Sequence, residues 1–183
     1  LDDAARNYKR ATELNPGYAE AHNNLGIVFQ DLGRFKEAEL SYRAALAVQP
    51  HYPQCHINLG VLFRQQGVFK EATQHCLKAI AQMPAFSEAH RHLATMKTFA
   101  TKDEQFSQME RIYKTENIPE YERCQISFAL AKAHEDMEEY EHAFRFYLEA
   151  NRLRKKLLGY DFSQDKVLFE RVRSAQPSVK QAS

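Results

Sequence analysis

Two sets of polar side chains recur at one fixed interval, and they are the first candidates for chemistry in this chain. His22, His56 and His90 stand 34 residues apart, and Asn24 and Asn58 are separated by the same 34. Imidazoles bind zinc when their nitrogens converge at about 2.0–2.1 Å from one ion. With one structural unit per interval, however, successive rings lie about 10 Å apart, the packing distance of helices, and one ion cannot reach two rungs. His90 and His92 are two apart and face different sides of a helix. The histidines are therefore expected to pack between units, and no metal site and no cofactor are expected. Asparagine offers another chemistry. A carboxamide donates and accepts at once, which matches a peptide unit whatever its side chain. A tolerated polar residue leaves the same trace, so spacing alone keeps both readings open.

Other catalytic patterns fail on inspection. Gly17, Gly26, Gly33, Gly60, Gly67 and Gly159 are scattered, so no glycine-rich turn cradles a phosphate. No serine or cysteine falls with a histidine and a third orienting group in a recognised order. Cys55, Cys76 and Cys124 are odd in number and widely spaced, against a disulfide framework or a zinc site. They point to core packing in a reducing compartment, hence a cytoplasmic protein. A net charge of +1 supplies no global field for nucleic acid or an anionic membrane. The basic run Arg152, Arg154, Lys155 and Lys156 reads as cations in the last turns of a helix, where the dipole favours them. No apolar run approaches the roughly 20 residues of a membrane span.

The elements that carry these residues follow from the same period. Pro16, Pro50 and Pro84 are again 34 apart. Between them Leu25, Gly26 and Phe29 return as Leu59, Gly60 and Phe63. Gly33, Phe35 and Ala38 return as Gly67, Phe69 and Ala72, and Ala45 as Ala79. A fixed period of this length marks stacked helical hairpins. Gly26 and Gly60 lie mid-helix, where glycine costs roughly 1 kcal/mol against alanine, so a neighbouring helix must approach closely. The paired alanines answer from the second helix, and the four phenylalanines are expected to fill the space around that contact. Gly33 and Gly67 end the first helix in a left-handed cap, and the prolines stop the second. Cys76 stands where the pattern calls for an aromatic residue.

This pattern resembles the tetratricopeptide repeat, which implies an all-α, right-handed superhelical solenoid of antiparallel helix hairpins. Residues 1–16 match the second helix of a repeat whose first helix is missing, so the chain is expected to be a piece of a longer array. The expected units are tetratricopeptide repeats at 19–52 and 53–86, a degenerate repeat at 87–123 and a similar hairpin at 124–158. A capping helix at 160–175 and a disordered tail at 176–183 complete the expected organisation. In the degenerate unit Ala94 replaces the glycine and Lys97 the aromatic; the register resumes three residues late with Leu130, Ala131, Tyr140, Ala143, Tyr147 and Ala150. The apolar stripe of Leu1, Ala4, Ala5, Tyr8 and Ala11 predicts weak self-association through residues 1–16.

In that family the first helix of each repeat lines a concave groove. The resemblance therefore places Glu20, Asn23, Asn24, Ile27 and Gln30 in the groove, followed by Gln54, Ile57, Asn58, Val61 and Arg64, and then by Glu88, Arg91, His92, Thr95 and Thr98. The asparagine pair resembles the ladder of the O-linked N-acetylglucosamine transferase repeats, whose amides grip an extended peptide. Chaperone-binding repeats clamp a terminal carboxylate instead, but Asn23 and Ile27 stand where their first lysine and asparagine belong. The implied function is a non-enzymatic scaffold for a protein or peptide partner. A second resemblance runs through Glu88-Ala-His-Arg-His-Leu-Ala, Ile118-Pro, Phe128-Ala-Leu-Ala-Lys-Ala-His-Glu-Asp-Met, Tyr140-Glu-His-Ala-Phe, Asn151-Arg-Leu-Arg and Gly159-Tyr-Asp. Residues 87–170 are similar to the repeat region of bacterial proteins that join such repeats to a sulfotransferase domain. That likeness implies a substrate-recruiting or regulatory role beside a catalytic domain, whose phosphate-cradling turn this sequence does not contain.

Overall fold

A computed structural model describes residues 1–159 of the chain; the expected capping helix and tail lie outside them. Among the described residues the chain is all helix. The elements are α1 (Asp2–Leu14), α2 (Ala19–Asp31), α3 (Phe35–Val48), α4 (Pro53–Gln65), α5 (Phe69–Gln82), α6 (Ser87–Ala94), α7 (Glu104–Tyr113), α8 (Glu120–Asp136) and α9 (Tyr140–Leu157). Their ends are where the local chemistry sets them. Pro53 opens α4 at a position whose N–H is not needed, and Asp103 caps α7 by accepting from the Phe106 N–H at 3.0 Å. Pro16, Pro50 and Pro84 each follow the last turn of a helix by two residues, behind a final bond from the cap N–H to Ala11, Ala45 or Ala79.

The histidine ladder closes these proline turns. His22 and His90 place Nε2 3.0 and 2.9 Å from the carbonyls of Pro16 and Pro84, while the Pro50 carbonyl interacts with His56 and also accepts from Gln82 Nε2 at 3.0 Å. These contacts satisfy acceptors that helix termination leaves without a backbone partner. Gly26 and Gly60 are needed for close approach: a Cβ at Gly26 would lie 2.6 Å from the Tyr42 ring, and one at Gly60 3.2 Å from Cys76 Sγ. Opposite them Ala38, Ala45, Ala72, Ala79 and Cys76 are fully buried. The phenylalanines divide. Phe29 and Phe63 are core residues, whereas Phe35 and Phe69 are exposed, contrary to expectation, because they begin the outer helices and point away from the hairpin contact.

Successive hairpins stack unevenly. The backbones of α2 and α4, of α4 and α6 and of α6 and α8 approach closely, while those of α3 and α5, α5 and α7, and α7 and α9 do not, the last pair meeting through the Tyr113 side chain at Phe146 and Glu149. Closer spacing in one layer than the other bends the stack, so α2, α4, α6 and α8 form its concave face. The stripe on α1 is not open as expected: Ala4, Ala5 and Tyr8 pack against the core shared with Leu25 and Phe29 of α2, leaving Leu1 exposed. The degenerate unit departs most. α6 is cut to 8 residues, Thr95 turns its hydroxyl back onto the His92 carbonyl, and the segment 95–103 runs irregularly to α7. Phe99 from that segment is buried and fills the gap, its N–H bonded to Asp136 at 3.2 Å.

Candidate functional site

The concave face carries the polar residues picked out by their period. Asn58 donates from Nδ2 to Asn23 Oδ1 across α4 and α2 at 2.9 Å, and accepts from Gln54 at 3.3 Å. Asn23 reaches on to Asn24 Oδ1 at 3.5 Å. About two turns further along, Gln30 donates to Gln65 at 2.8 Å and accepts from the Tyr42 hydroxyl at 2.8 Å. Amides from two repeats therefore form a row, but its members are joined differently from the simple ladder of Asn24 and Asn58. Asn23 is buried and serves as the bridge, while Asn24 and Asn58 are half-buried and keep part of each amide toward solvent.

The remaining expected groove residues separate by exposure. Ile27, Arg64 and Thr95 are exposed, Val61 and Arg91 are half-buried, and His92 is buried. His92 offers little surface to a ligand because α8 packs directly on α6. It lies 3.6 Å from Glu88, which also accepts from the Tyr121 hydroxyl at 3.4 Å. Beside His92 the Glu88 carboxyl is held below the usual carboxylate range despite its burial. Arg91 Nε, Glu122 Oε2 and Gln125 Oε1, on α6 and α8, are buried without a hydrogen-bond partner among the described residues. Glu122 and Gln125 were not singled out in the sequence. The available signal was Gln125, which lies five residues before Leu130 as Gln54 lies five before Leu59.

The three cysteines are packed rather than activated. Burial pushes the Cys55 and Cys76 thiols up to about 12 and raises Cys124 as well, so all three are protonated at neutral pH. Cys55 and Cys124 donate to the carbonyls of Tyr42 and Ala150, both at 3.4 Å, which is a packing role. In the basic run Lys156 pairs with Glu120. No described helix is long and apolar enough to cross a membrane.

Family profiles match this architecture in three places: a TPR repeat at residues 1–33, a tetratricopeptide repeat at 19–52 and another at 129–164. The chain carries tetratricopeptide repeats. Solved structures agree on the fold. MamA superposes with a TM-score of 0.59 at 18% identity, covering 87% of this chain and 91% of that one. Pseudomonas aeruginosa pilF gives 0.61 at 24%, covering 94% and 79%. YrrB, described as a TPR protein with an unusual peptide-binding site, gives 0.57 at 20%, covering 84% and 77%. At such identities the likeness is one of fold. An uncharacterised protein of Aquifex aeolicus is 28% identical over 76 residues, 42% of this chain and 10% of that one, so the chain spans about a tenth of that relative.

Proposed function

We propose that this tetratricopeptide array is a non-catalytic scaffold that binds an extended peptide segment of a partner protein along its concave face. The observation that carries the reading is the amide row of Gln54, Asn58, Asn23 and Asn24, which presents donors and acceptors on that face. Backbone peptide units are ligands for such a row because each offers one donor and one acceptor at regular spacing. The buried, unpaired atoms of Arg91, Glu122 and Gln125 extend polar capacity onto the next two inner helices. YrrB, a protein of the same fold, is described as binding peptide. In this reading Asn24, Asn58, Ile27, Val61, Arg64, Arg91 and Thr95 contact the ligand, and Asn23 and His92 hold the wall behind them.

An arrayed library of extended peptides, followed by fluorescence anisotropy on the strongest binder, tests this. Asn24→Ala is expected to weaken that peptide by about 1 kcal/mol, and the double change with Asn58→Ala by about 1–3 kcal/mol. Melting temperatures measured alongside separate lost binding from lost folding, since Asn58 also joins α4 to α2. Unchanged affinity in a folded double variant overturns the reading. A second reading, recruitment of substrate for a sulfotransferase, rests on the sequence resemblance over residues 87–170 alone. The repeat matches and fold neighbours do not support it, and a catalytic domain adjoining this segment in the full-length protein is what would establish it.

A further inference from the structure

The turns between α2 and α3, α4 and α5, and α8 and α9 share one geometry. Gly33, Gly67 and Glu138 adopt φ of 73°, 75° and 61°, and the next residue, Arg34, Val68 or Glu139, donates its N–H back to Phe29, Phe63 or His134 at 2.8, 2.9 and 2.9 Å. That bond folds the side chains before and after the turn into one corner. In the first hairpin the corner holds Phe29 with the Arg34 guanidinium 4.5 Å from its ring centre and Glu37 paired to Arg34. In the second the same positions are Phe63, Val68 and Glu71. In the α8–α9 corner they are His134, Glu139 and His142, and all three are metal-ligating side chains.

We propose that His134, Glu139 and His142 bind a zinc-type divalent cation at this corner, with water completing the coordination. Their ligand atoms all lie within 4.8 Å of one another, the one group of three with that property among the described residues. His134 Nδ1 is 2.5 Å from Glu139 Oε2, and the His134 and His142 rings stack with centres 5.2 Å apart. Two imidazoles and a carboxylate around one open position are a donor set that suits zinc. Bonds of about 2.0–2.2 Å in a tetrahedral site require the nitrogen and oxygen to part by roughly 1 Å, and exposed His142 can swing to meet the ion.

The surroundings favour that role. Phe146 stacks on the His134 ring at 5.4 Å and Phe106 meets it edge-on at 5.2 Å, so the ring is fixed in orientation. Lys102 grips Glu139 Oε1 at 2.9 Å and leaves Oε2 facing the histidine, the arrangement of an outer partner that orients a ligating carboxylate. An ion here would pin the end of α8 to the start of α9. No period of 34 residues reveals the site, because its three positions carry other residues in the earlier repeats.

Calorimetric titration of the full chain with zinc chloride tests the proposal, with cobalt chloride as a spectroscopic probe of coordination. The expected result is one ion per chain, weakened by roughly tenfold or more in His142→Ala and in Glu139→Gln. Both changes fall on side chains that are not buried, and circular dichroism confirms that the variants fold. Binding should be unaltered in His75→Ala, which removes the other close histidine pair. Absence of saturable zinc binding overturns the proposal. So does a loss that follows His75→Ala instead, or a Glu139→Gln chain that binds as the unmodified protein does.

Discussion

Among single residues, His75 has the most to say about acid stability. Its Nδ1 lies 3.0 Å from His56 Nδ1, and its ring stacks on Phe63 at 5.6 Å between centres. Burial, reinforced by His56 and Lys78, lowers its pKa from 6.5 to about 4, and burial also lowers His56. A histidine depressed in the folded state contributes its stability above the unfolded pKa and loses it as protons are taken up on unfolding below that value. The chain should therefore lose stability as pH falls from about 6.5 to about 4. His75→Phe keeps the stack and removes the proton site, so its melting temperature should fall less between pH 7 and 4.5. The difference should be about 1 kcal/mol, because the half-exposed ring is partly screened. Equal acid sensitivity in both proteins would exclude His75 as its source. His22, His56 and His90 were legible from their period, whereas their carbonyl partners were not. His75 stood outside every pattern, since Ser41 occupies its place one repeat earlier and Met109 the place one repeat later.

The hairpin is the element on which sequence spoke most clearly, and its turns show where that clarity stops. Gly33 and Gly67 were readable as left-handed caps because glycine is the residue that adopts that backbone without penalty. Glu138 occupies the same backbone at φ 61° with an ordinary side chain, and no rule of composition points to it. The left-handed region costs a non-glycine residue about 1–2 kcal/mol. Part of that gain is offset by the greater freedom glycine brings to the unfolded chain, roughly 0.4–1 kcal/mol. Glu138→Gly is accordingly expected to stabilise the protein by about 0.5–1 kcal/mol, read as a higher midpoint in urea at unchanged slope. A lower midpoint would mean that Glu138 contributes more through its side chain than it costs in backbone strain. α6 was harder to foresee. Its opening, with His90 and Leu93, follows the repeat, but the helix ends at Ala94 because Thr95 bonds back to His92 and Phe99 is drawn into the core instead of extending a helix.

Across the whole molecule this short helix stands between two separate cores. One core runs from α1 to α5 around Leu25, Tyr42, Leu59 and Phe63; another runs from α6 to α9 around Phe106, Met109, Ile126 and Leu130. A smaller cluster of Ile57, Cys76, Phe86 and Leu93 joins α4 and α5 to α6. Stability in such an array is close to a sum over units and their nearest neighbours, so damage in one core reaches the other only through the units that join them. Phe99 belongs to the second core, and its backbone is tied to Asp136 at the end of α8. Phe99→Ala removes a buried ring at a cost of about 3–5 kcal/mol. Hydrogen exchange should then show faster amide opening through α7, α8 and α9, while protection in α2 to α5 stays as in the unmodified chain. The amide groove on α2 and α4 would keep its shape, so the share of a peptide's affinity that Asn24 and Asn58 supply would be retained. Uniform loss of protection from α1 to α9 would instead establish one cooperative unit, in which the corner at His134 and the groove at Asn24 answer to the same unfolding transition.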